Sequence, residues 1–130
     1  MKLSHALIIL ILIITGSVAF AENRKVTGLF STFDASAKSG DISGAEIHVV
    51  PNPAGFSAIV QASEGAPGFP EVIDLNVNGT KIEFSIPENS ASGFPPGKYF
   101  GTVTRKGLTL NGPVYPYKDY FMPRTDSFWQ

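Results

Sequence analysis

The sequence predicts an all-β domain, a small antiparallel meander of about eight strands that closes into a barrel in preference to a sandwich. Three observations predict it. Gly (13) and Pro (10) are plentiful among the 130 residues, while charged residues make up only 16%, against roughly 25% in an average domain. Beyond residue 21, apolar and polar residues alternate in short runs, and no stretch sustains the 3.6-residue apolar period of a helix. Turn dipeptides such as Asn78-Gly79 punctuate those runs. A barrel is favoured because closure leaves no exposed strand edge.

Residues 1–21 read as an export signal, and 22–130 as a single β domain. Lys2 supplies a positive start, residues 6–14 form an unbroken apolar run, and Ala19-Phe20-Ala21 is a small-x-small cleavage site followed by polar Glu22-Asn23-Arg24-Lys25. The stretch from Ala6 to Ala21 covers 16 residues, short of the roughly 20 that a membrane-spanning helix needs. The expected product is exported, periplasmic or extracellular, with no membrane span after cleavage. With no Cys in the chain, neither a disulfide nor a lipid-bearing cysteine contributes, so the core alone must hold the domain.

The strands are expected at 25–33, 42–50, 56–63, 71–77, 80–86, 98–104, 108–111 and 118–122. Asn52-Pro53-Ala54-Gly55 closes a hairpin that sets Ile47 and Val49 opposite Val60 and Ala58. A type I′ turn at Asn78-Gly79 sets Leu75 opposite Ile82, Ile73 opposite Phe84 and, on the outer face, Asp74 opposite Glu83. Lys106-Gly107 marks a third tight turn. In a meander the connections alternate between two ends, so these three turns share one end. The longer connections 34–41, 64–70, 87–97 and 112–117 share the other.

Little in the sequence asks for catalysis. The serine-hydrolase elbow, phosphate loop and dinucleotide fingerprint are absent. His48, between Ile47 and Val49, reads as a solvated outward side chain near Glu46 and Gln61, without the second imidazole a zinc site requires. Two carboxylates as close as Asp74 and Glu83 could act as an acid/base pair or hold a hard cation, although Lys81 on the same face relieves their repulsion. The expectation is no enzyme, no metal and no cofactor. A net charge of -1 gives no basic footprint for nucleic acid.

Arg124-Thr125-Asp126-Ser127-Phe128-Trp129-Gln130, together with Gly97-Lys98-Tyr99-Phe100-Gly101-Thr102-Val103, resembles the small uncharacterised secreted bacterial β-proteins that end in Arg, then Ser, an aromatic, Trp and Gln. The resemblance implies a bacterial envelope protein and carries no activity or site residue with it. Read physically, Phe128 and Trp129 form a latch that closes one end of the barrel.

The functional expectation is a binding protein for an envelope or extracellular protein or glycan, using an aromatic rim on the long loops: Phe69, Phe94, Tyr115 and Tyr117. Proline stiffens these loops in Gly68-Phe69-Pro70, Gly93-Phe94-Pro95 and 113–117. The pattern Ala-x-Gly-Phe-Pro begins at both Ala66 and Ala91, on either side of one hairpin, so the two segments should be neighbours. Inward-folded plugs are the competing reading of the same aromatics. A small-ligand carrier using the barrel interior is the alternative function, and an enzyme built on Asp74 and Glu83 comes last.

Overall fold

The computed structural model describes residues 26–113 and 118–126. The signal-like segment 1–21, Tyr115, Tyr117, Phe128 and Trp129 lie outside the described residues. Among those described there are nine strands and no helix: β1 (Gly28–Ser31), β2 (Asp34–Ala35), β3 (Ile42–Asn52), β4 (Gly55–Pro67), β5 (Glu71–Asn78), β6 (Lys81–Ile86), β7 (Gly97–Val103), β8 (Gly107–Asn111) and β9 (Tyr120–Pro123). All neighbours are antiparallel in the order β1-β3-β4-β5-β6-β7-β8-β9, with β2 continuing β1 along β3. This is the expected meander.

The first hairpin follows its turn chemistry. Asn52 Oδ1 accepts the Ala54 N–H at 2.8 Å and Asn52 Nδ2 donates to Ser57 Oγ at 2.7 Å, a side-chain turn that asparagine makes well. The resulting register pairs Ile47 with Val60 and Val49 with Ala58, as expected.

The second hairpin corrects its expectation. Asn78 pairs with Lys81 and Val77 with Ile82, so the loop is Gly79-Thr80. Only Gly79 has positive φ, 61°, the pattern of a type II′ turn, which needs glycine at its first central position alone. Asn78 thereby stays in the ladder. The partner of each residue moves by two positions, and because side chains alternate with period two, every one keeps its face. Leu75, Ile82 and Phe84 are still buried inside. The third turn shifts likewise: the Thr104 N–H bonds to the Gly107 carbonyl at 2.8 Å, leaving Arg105-Lys106 as the loop.

The barrel is nearly closed. β5 bridges its two halves, its first residues pairing with β4 and its last three with β6. At the seam between β9 and β1, Phe30 bridges Arg124 and the Thr125 N–H donates to the Leu29 carbonyl at 3.1 Å. The Arg124 guanidinium lies 4.8 Å from the Phe30 ring centre and donates to the carbonyls of Thr27 (2.5 Å) and Thr104 (3.3 Å). A side chain at Gly28 would collide with that guanidinium. Cation–π stacking and a rigid fork of donors suit arginine to this clamp.

Inside, Phe30, Ile47, Val49, Val60, Leu75, Ile82, Phe84, Tyr99, Val103, Leu108, Leu110 and Met122 form one buried cluster, with Ile73 partly buried against it. Each such side chain contributes about 1.5–3 kcal/mol through burial. The interior is a packed core.

Candidate functional site

The antiparallel order puts the hairpin turns at one end and the connections from β4 to β5 and from β6 to β7 at the other. At the loop end, the two Ala-x-Gly-Phe-Pro segments lie against each other. The Phe69 N–H donates to the Ala91 carbonyl at 2.8 Å, and the Ala62 N–H to the Ser92 carbonyl at 2.7 Å. The Gly68 N–H returns to the Ala62 carbonyl at 2.9 Å, and Gln61 Nε2 donates to the Gly68 carbonyl at 2.6 Å. Segment 91–95 thus covers the part of β4 that runs beyond the start of β5.

The two phenylalanines part company there. Phe94 is buried, 4% exposed, with its ring edge-on to Tyr99 at 5.6 Å. Tyr99 in turn stacks on Phe84 at 5.1 Å and donates its hydroxyl to the Pro95 carbonyl at 2.8 Å. Phe94 is therefore a plug of the core and takes no part in an exposed rim. Phe69 is 76% exposed, and Val72, three residues on, is 68% exposed. Of the four rim residues expected from the sequence, Phe69 is the one that the described structure sets outward.

The carboxylate pair does not form. The shifted register puts Asn76 opposite Glu83 and leaves Asp74 beside Ser57 of β4. Glu83 instead accepts a salt bridge from Lys98 Nζ at 2.8 Å. His48 does face outward, within a cross-strand row Leu29–His48–Ile59–Val72, but it is half-buried, and Glu46 and Gln61 on that face are buried. The expectation of a fully solvated neighbourhood is corrected accordingly. No group of three or more His, Asp or Glu that could hold a metal occurs among the described residues.

No protein-family model, no curated protein and no solved structure matches the chain.

A second feature of the exterior was not singled out from the sequence. The outer face of β5–β8 is concave, a depression of about 740 Å³ that is open to solvent. Two cross-strand rows line it. One runs Asn76–Glu83–Phe100–Asn111, the other Asn78–Lys81–Thr102–Thr109. The signal was present as a run of Asn, Thr and Phe at outward positions on four successive strands. It becomes visible only when those positions are aligned through the register.

Proposed function

We propose that the protein is an exported, non-catalytic binding protein that meets an envelope or extracellular protein or glycan with its long-loop end, Phe69 being the anchor. The observation that carries this reading is the exposure of Phe69, 76%, on a segment whose backbone is held. Pro70 follows it, and the Phe69 N–H donates to the Ala91 carbonyl. A large apolar side chain presented on stiffened backbone loses little entropy on binding, and aromatic anchors contribute a disproportionate share of interface energy. The core side chains that occupy the barrel interior support binding at the surface over carriage of a small ligand within. The signal-like segment 1–21 supports export.

The test places a photo-crosslinking phenylalanine analogue at position 69 of the full chain in its native host, beside affinity capture with the wild-type and Phe69→Ser proteins. A discrete adduct, with captured partner lost on Phe69→Ser, is the expected result. No adduct and equal capture by the two proteins would overturn the reading.

A further inference from the structure

The concave outer face of β5–β8 has a chemistry different from that of the loop end. We propose that it is a binding groove for a neutral oligosaccharide, a site separate from Phe69 and standing or falling independently of it.

The lining selects the ligand class. Asn76, Asn78, Thr102 and Thr109 make no side-chain hydrogen bond among the described residues. Amides and hydroxyls each offer donors and acceptors, which matches sugar hydroxyls of the same double character. Asn111 is held in place: its Nδ2 donates to Asp119 Oδ1 and its Oδ1 accepts the Asp119 N–H, both at 3.0 Å. Phe100 is 48% exposed in the middle of its row, with Lys98 Nζ 5.2 Å from its ring centre. An aromatic face, negative at its centre, attracts the C–H face of a pyranose ring. Together these groups set a half-exposed ring, with Lys98 Nζ over one side of it, between Glu83 and Asn111 in its row.

The electrostatics exclude other occupants. Glu83 is neutralised by Lys98, and the other two charges of the lining, Lys81 and Asp119, are opposite in sign. No excess of either sign awaits a phosphate or an acidic polymer. A peptide adding itself as a strand needs a free sheet edge, yet β6, β7 and β8 each have a partner on both sides here. Four strands at their ordinary spacing make each row roughly 14 Å long, room for more than one sugar ring.

The test is titration of the isotopically labelled full chain with three neutral tetrasaccharides, β-1,4-linked glucose, α-1,4-linked glucose and β-1,4-linked N-acetylglucosamine, followed by amide NMR. Concentrations reach about 10 mM, enough to saturate a millimolar site. At least one sugar is expected to give saturable shifts at Asn76, Asn78, Thr102, Thr109 and Asn111. Phe100→Ala should weaken it roughly ten-fold, Asn76→Ala should weaken it less, and Phe69→Ser should leave it unchanged. Amide spectra of the free variants show whether each remains folded. No saturable shift with any of the three sugars overturns the proposal. So do shifts that map to the loop end and vanish with Phe69→Ser, and so does full affinity in a folded Phe100→Ala together with a folded Asn76→Ala.

Discussion

Residues 66–70 and 91–95 share the pattern Ala-x-Gly-Phe-Pro and are bonded to each other, yet one sends its phenylalanine into solvent and the other into the core. The difference lies in the variable position and in the glycine. Ser92 is fully buried; its Oγ accepts the Phe94 N–H at 3.3 Å and shares a hydrogen bond with Ser90 Oγ at 2.7 Å. Ser90 Oγ then donates to Glu71 Oε2 at 2.5 Å. That chain of hydroxyls ties the segment down onto β5. Pro67 has neither a hydroxyl nor an N–H with which to make the same links. Gly93 has a φ of 86°, reversing the chain so that Phe94 swings inward, whereas Gly68 shows no positive φ. A shared motif therefore places two backbones together, and the polar neighbours decide which aromatic is a plug.

The largest expected effect comes from breaking the buried member. Phe94→Ser removes the ring that covers Tyr99 and leaves a cavity with a hydroxyl in it. Loss of a buried Phe costs about 3–5 kcal/mol, a large part of the ~5–15 kcal/mol that holds a domain of this size together. Thermal unfolding should shift down by more than ~10 °C. An unchanged midpoint would show that Phe94 is not the plug.

The two glycines sharpen the comparison. A Cβ at Gly68 would press on the backbone of Ala91 and Ser92, and one at Gly93 on the Ala62 carbonyl, so both positions need the close approach that glycine allows. Gly93 carries the additional strain of a left-handed conformation, about 1–2 kcal/mol for any other residue. Both Gly→Ala variants should be destabilised in urea, Gly93→Ala by about 1 kcal/mol more. Equal losses would place the whole cost in the steric contact.

How far the fold was legible follows from what each feature depends on. Strand order and inward faces depend on period-two alternation, and Ile47, Val60, Leu75, Ile82 and Phe84 were readable from it. The Asn52 hairpin was readable because its asparagine has a local partner. The Gly79-Thr80 loop was not: types I′ and II′ both fit Asn-Gly-Thr, and both keep Val77 and Ile82 inside, so the alternation carries no information between them. The fate of Phe94 depends on Ser90 meeting Glu71, 19 residues away, a contact that no local pattern contains. The groove on β5–β8 depends on the register set by the Gly79-Thr80 loop, which puts the amide of Asn76 opposite Glu83 where the expected register had a second carboxylate, Asp74.

Tyr99 gives a smaller and pH-dependent probe of the plug. Burial pushes its hydroxyl up to about 12, from about 10 in an unfolded chain. The folded state therefore holds this proton more tightly than the unfolded one. Its contribution is fully present below about pH 10 and is lost as the pH rises through about 12. Urea melts of the wild type should lose stability over that window faster than those of Tyr99→Phe. At neutral pH the Tyr99→Phe variant should be weaker by about 0.5–1.5 kcal/mol, the worth of the hydrogen bond to Pro95. Parallel pH profiles for the two proteins would assign the alkaline loss to other groups.

The smallest expected effect on stability belongs to the exposed twin. Phe69→Ser removes a ring that is three-quarters out in water, while the bonds that place the segment all run through backbone or through Gln61: Phe69 N–H to Ala91, Gly68 N–H to Ala62, and Gln61 to Gly68. None needs the ring, and Ser retains the N–H. Surface substitutions of this kind stay within about 0.5 kcal/mol of neutral, so thermal and urea midpoints should match the wild type while those of Phe94→Ser collapse. A pair of midpoints that fell together would make Phe69 a second structural aromatic. It would then have no claim as an anchor, because the apolar surface it shows to solvent would be explained by what it holds beneath.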